Sequence, residues 1–141
     1  MFNILLKLIT PLFYSALFAT IESVYYLIMN GFMYTTIDQT IISFCLSPFI
    51  IQIDRMLTAE GVSIMHLALL YPFIFWTAEI VGGFTLLYLF GHNRAWYYYS
   101  DDALLYGIIR IYYYPLFSLL GVSLHYVDYY LQLFCEQLYS G

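Results

Sequence analysis

The feature that most constrains this chain is the stretch Val62–Phe90, which is apolar almost throughout and carries a single acidic side chain, Glu79. An apolar run beyond about 18 residues is longer than the core of a soluble domain needs. At about 1.5 Å per helical residue it matches the roughly 30 Å hydrocarbon thickness of a bilayer. The stretch therefore predicts a transmembrane helix, closed by Gly91-His92-Asn93-Arg94. The remainder of the chain agrees with this reading. Of 141 residues, 63% are apolar and only 9% charged, where an ordinary soluble domain has roughly a quarter charged. So few charges could not cover the surface of a soluble fold.

Leu12–Tyr34 is broken only by Glu22 and follows Pro11, a residue welcome in a first helical turn, so it predicts another span. Ile37–Ile53 is shorter and interrupted by Gln39, Pro48 and Gln52; it either spans thinly, lies at the interface or re-enters. Asp54-Arg55 and Glu60-Gly61 mark a polar connection. Trp96 and Tyr97-Tyr98-Tyr99, beside Asp101-Asp102, have the composition of an aromatic belt at a membrane–water boundary. From Ala103 to Leu138 the periodicity is helical, divided at Pro115. Beyond that proline Ser118, Gly121, His125, Asp128, Gln132 and Glu136 recur at helical spacing as one polar stripe, facing water or partner protein. The expected fold is an all-α integral membrane protein, a single domain over residues 1–141 with three or four transmembrane helices and a C-terminal amphipathic helix.

The net charge of −5 comes with scattered basic residues, Lys7, Arg55, Arg94 and Arg110. They form no patch for nucleic acid or anionic lipid headgroups, and no loop asymmetry that orients the chain. Cys45 and Cys135 lie far apart without a partner motif and read as small apolar residues. Met1–Lys7 matches neither an organelle presequence nor a signal peptide. The abundance of Phe (12) and Tyr (17), whose codons are T-rich, suits translation inside an AT-rich organelle and points to the mitochondrial inner membrane.

Ionisable side chains within a span are costly and tend to face protein and mark proton or ion paths. Glu22 shares a helix face with Ser15, Ala19, Ser23 and Tyr26, and Glu79 with Phe75, Gly82, Gly83 and Leu86. Small neighbours permit close helix packing, so each glutamate is expected in a helix interface. Two roles fit such a residue. One is a proton relay, a carboxyl that takes and releases a proton near neutral pH. The other is a hydrogen-bonded glutamate that holds two helices together.

The segment Phe75-Trp76-Thr77-Ala78-Glu79-Ile80-Val81-Gly82-Gly83-Phe84-Thr85-Leu86-Leu87 resembles the last helix of NADH dehydrogenase subunit 4L, where an Ala-Glu pair is followed four residues later by Gly and a Leu-rich exit. Ala16-Leu17-Phe18-Ala19-Thr20-Ile21-Glu22-Ser23 similarly resembles that family's preceding Glu-bearing helix. The resemblance implies a small proton-pathway subunit in the membrane arm of respiratory complex I. Glu22 and Glu79 would then be its relay groups, other membrane subunits and lipids its partners, and it would have no soluble cofactor and no activity of its own.

Two alternatives stand beside it. His66 and His125 could be axial ligands to a haem held between helices, since Ser63-Ile64-Met65-His66 and Gly121 through His125-Tyr126-Val127-Asp128 loosely resemble the membrane anchors of succinate dehydrogenase. More simply, His66 is an interhelical contact, and His125 and Asp128 pair with each other at i and i+3. The chain could equally be a structural accessory subunit of a respiratory complex or ATP synthase, its glutamates joining helices and its C-terminal helix docking on a neighbour. Arg110 has a stem long enough to snorkel toward Asp102 or the nearby tyrosines. No P-loop, zinc motif, nucleophile elbow or dinucleotide signature occurs.

Overall fold

A computed structural model describes residues 2–31, 35–99 and 101–140. Four long helices dominate it: α1 (Phe2–Asn30), α2 (Ile37–Ala59), α3 (Ile64–Phe90) and α4 (Tyr114–Ser140). Between α3 and α4 lie two short antiparallel strands, β1 (Ala103–Leu104) and β2 (Ile109–Arg110), and a 3-10 turn at Ile111–Tyr113. Leu8–Met29, Ile37–Ala59 and Ile64–Phe90 are each long and apolar enough to cross a membrane. The chain is thus a mainly helical protein with three potential spans and a further C-terminal helix.

The helix boundaries follow local chemistry. Thr36 caps α2 by accepting the amide of Gln39 at 3.1 Å, and Ser63 caps α3 by accepting that of His66 at 3.5 Å. Gly91, at φ 75°, ends α3 in the left-handed conformation that only glycine adopts freely. Pro11, Pro48 and Pro72 lie inside α1, α2 and α3, a placement common in membrane helices because neighbouring groups compensate the lost backbone bond.

The helices form an antiparallel bundle in which α1 packs on α2 and α4, and α3 chiefly on α4. Its core is aromatic and aliphatic: Tyr14, Leu67, Tyr71, Phe75, Phe117, Leu120 and Leu124. Gly121 sets the α3–α4 approach, because a Cβ there would fall inside the ring of Tyr71. Outside this core the apolar side chains point outward, among them Ile28, Phe49, Met65 and Phe73. Even in α3 only 28% of the most apolar window is buried within the protein, a distribution suited to lipid rather than water.

Several expectations are corrected. The first helix begins before Leu12 and contains Pro11; the end expected at Tyr34 falls outside the described residues. The second stretch is no thin or re-entrant element but a helix of 23 residues. It carries Asp54-Arg55 inside it, because Asp54 finds His125 on α4 and Tyr71 on α3, and Arg55 finds the buried Asp128 on α4. Nor is the chain all-α from Ala103 onward: the helix begins only at Tyr114, so Pro115 stands in its first turn, where a missing N–H costs nothing.

The segment before α4 folds back along α3. Trp96 and Tyr98 are buried, while Tyr97 and Tyr99 remain exposed as belt residues would be. Trp96 Nε1 donates to the Ile108 carbonyl at 2.7 Å, and Trp76 Nε1 to the Arg110 carbonyl at 3.3 Å. Ile108 is fully buried against Gly83, where an added Cβ would meet its Cγ2 at 2.7 Å. The hairpin therefore packs along α3 between Trp76 and Gly83.

Candidate functional site

Glu22 and Glu79 come from different helices and line one small cavity of about 20 Å³, together with Gln39 and Tyr98. A second cavity of about 40 Å³ adjoins Gln39, Ser43 and Glu79. Either has room for a water, which needs roughly 10–15 Å³.

Each side chain is delivered by an identifiable device. Glu22 sits late in α1, where its Oε1 accepts Gln39 Nε2 at 2.6 Å and its Oε2 accepts the Thr35 hydroxyl at 3.1 Å. Gln39 is fixed one turn into α2 by the Thr36 cap. The Thr36 hydroxyl in turn donates to the Ala95 carbonyl at 2.9 Å, tying the start of α2 to the segment that follows α3. Glu79 lies mid-way along α3, next to Gly82, where an added Cβ would meet Ile42 Cγ2 at 2.9 Å. This glycine does allow a close helix approach; Gly83, by contrast, makes room for the hairpin.

Tyr98 completes the site, donating its hydroxyl to Glu79 Oε1 at 2.8 Å. Burial, and then the neighbouring Glu79 carboxylate, raises the Tyr98 phenol well above its ordinary value, so it stays a donor. Glu79 Oε2 is buried without a hydrogen-bond partner among the described residues. A buried acceptor left open costs about 1–3 kcal/mol. The site thus holds two carboxyls, an amide able to donate and accept, a phenol donor and one unfilled acceptor.

Sequence reasoning identified both glutamates but passed over Gln39 and Tyr98, treating the first as an interruption and the second as a belt residue. For Gln39 a signal existed: Gln39, Ser43, Ser47 and Asp54 repeat at helical spacing along one face. For Tyr98 there was none, since its contact depends on the loop folding back.

The histidines lie elsewhere. His66 is exposed in the first turn of α3, its Nδ1 2.8 Å from Ser63 Oγ, so it is no interhelical contact. His125 does not pair with Asp128; it faces Asp54 across the α2–α4 interface, while Asp128 is held by Arg55. Arg110 does reach Asp102, at 3.2 Å. No group of three or more His, Cys, Asp or Glu side chains arranged to hold a metal ion occurs among the described residues.

Fold and site together define a helical, multi-pass type of membrane protein with a polar site inside the bundle. No family model, curated protein or solved structure matches the chain.

Proposed function

We propose that Glu22 and Glu79 form a proton-relay pair and that the chain is a membrane subunit of a respiratory complex of the mitochondrial inner membrane, a subunit 4L-like part of complex I as the sequence resemblance implies. The observation that carries the relay is the shared cavity. It puts two carboxyls from separate helices around one space, with Gln39 bonded to one of them and an open acceptor on the other. The cavity has room for a water, through which a proton on Glu79 would pass to Glu22.

Membership of a larger assembly is supported by the hairpin. Beside the middle of α3 it presents the partly exposed Asp102–Arg110 pair. Charges are costly against lipid, so protein should cover this side.

The Tyr98–Glu79 bond favours a second reading, a structural accessory subunit of a respiratory complex or ATP synthase in which Glu79 holds the loop against α3. One experiment separates the two. In the assembled complex, Glu79→Gln keeps a hydrogen-bond acceptor for Tyr98 but cannot carry a proton. Coupled proton pumping should fall sharply while assembly is retained. Unchanged pumping would leave the structural reading.

A further inference from the structure

At the opposite end of the bundle a second set of ionisable side chains meets. His125 Nδ1 lies 3.0 Å from Asp54 Oδ2 and 3.2 Å from Oδ1, and the Tyr71 hydroxyl donates to the same carboxylate. Beside them Arg55 grips Asp128 through two bonds, Nε to Oδ2 at 2.9 Å and Nη2 to Oδ1 at 2.7 Å. Gln132 Nε2 adds a third at 2.6 Å. From α1, Tyr14 donates to the carbonyl of Leu124 at 3.0 Å. Asp54, Asp128, Tyr14 and Tyr71 are buried. His125 and Arg55 line an open cleft of about 330 Å³, whose wall includes Thr58 and Ala59 at the end of α2, just before the Glu60-Gly61 turn.

Arg55 and Asp128 form a bidentate pair, which leaves Asp54 bonded, among the described residues, to His125 and Tyr71, side chains that can carry a proton. Asp54 is also the end of the inward face of α2 on which Ser47, Ser43 and Gln39 follow, Ser47 being buried and Ser43 and Gln39 lining the glutamate cavities. Gln39 and Asp54 are about 22 Å apart along the axis. On the α3 side Phe75 lies between the Asp54 cluster and Glu79, stacked on Phe117 at 5.3 Å and near the rings of Tyr71 at 6.1 Å and Phe18 at 6.3 Å, which leaves the Ser47–Ser43–Gln39 face of α2 as the polar side between the two sites.

We infer that the His125–Asp54 pair is a proton-exchange port, through which the aqueous phase on the Glu60 side of the membrane supplies or drains the glutamate site. His125 passes the proton on Nδ1 to the Asp54 carboxylate and takes a replacement at Nε2 from the cleft, leaving the imidazole neutral and Asp54 protonated. The inference rests on the relay reading of Glu22 and Glu79, and its test keeps the two apart. In proteoliposomes of the assembled complex, His125→Ala should lower proton flux about tenfold, and imidazole added on the cleft side alone should restore it. A purely structural histidine would not be rescued from one side. Asp54→Asn should lower flux similarly, with no rescue by imidazole. Unchanged flux in His125→Ala, a loss that imidazole fails to restore, or equal rescue from both sides overturns the port. If Glu79→Gln leaves pumping intact, the relay reading fails; a flux still lost in His125→Ala and rescued from the cleft side then leaves proton exchange at the cleft alone, not supply of the glutamates. The reverse pattern removes the port alone.

Discussion

The Tyr98 hydroxyl donates a 2.8 Å hydrogen bond to Glu79 Oε1, joining a loop residue to the middle of α3. Both partners are buried, so the bond fixes how deeply the segment between α3 and α4 folds into the bundle. Tyr98→Phe should keep the ring's contact with Tyr113, 5.2 Å between centroids, while leaving both Glu79 oxygens without a protein donor. A loss of about 1–3 kcal/mol is expected, read as a lower thermal midpoint in detergent or nanodiscs. Glu79→Leu in the same background should recover part of it.

The Tyr98 phenol also sets a pH expectation. Burial raises its pKa above the ordinary tyrosine value of about 10. A raised pKa means the bond's contribution is fully present below that ordinary value and is lost only as pH climbs through the higher folded one. Tyrosine ring-carbon NMR, assigned by difference with Tyr98→Phe, should show the Tyr98 signal still protonated at pH about 10; a signal already shifted at that pH would refute the burial of Tyr98.

Gly121 allows α3 and α4 to meet through the face of Tyr71. Gly121→Val should force the helices apart, costing about 1–3 kcal/mol as overpacking does. Adding Tyr71→Ala should relieve the clash, so the double variant should be more stable than the two single losses combined would predict. Strict additivity in thermal melts would contradict the contact.

The Arg55–Asp128 pair is half-open to the cleft on the Arg55 side and closed on the Asp128 side, with side-chain exposures of 36% and 3%. Arg55→Met strands a buried carboxylate and should destabilise the bundle by about 3 kcal/mol, the low end for a broken buried pair because the cleft admits water. Arg55→Met with Asp128→Leu should restore most of that loss, measured as a double-mutant cycle on thermal stability. A double variant as unstable as Arg55→Met alone would show that the pair is not closed on itself.

The membrane character was legible in the order of residues alone, because a bilayer demands apolar length, and length and hydropathy are properties of contiguous sequence. Glu22 and Glu79 stood out for the same reason, as isolated acids inside apolar runs. What the sequence could not show was company. Asp54-Arg55 looked like a connection because an acid beside a base commonly marks a helix end; only the facing of α2 against α3 and α4 supplies Tyr71, His125 and Asp128 and lets the helix continue. Tyr98 looked like a boundary residue because aromatic clusters collect at interfaces. Only the fold-back of residues 95–99 and 101–113 along α3, where the missing side chain of Gly83 makes room for Ile108, brings its phenol to Glu79. The local pattern determined where this chain lives and which acids are out of place there. Which side chains surround those acids depended on contacts between residues far apart in sequence, a matter of tertiary packing that no periodicity encodes.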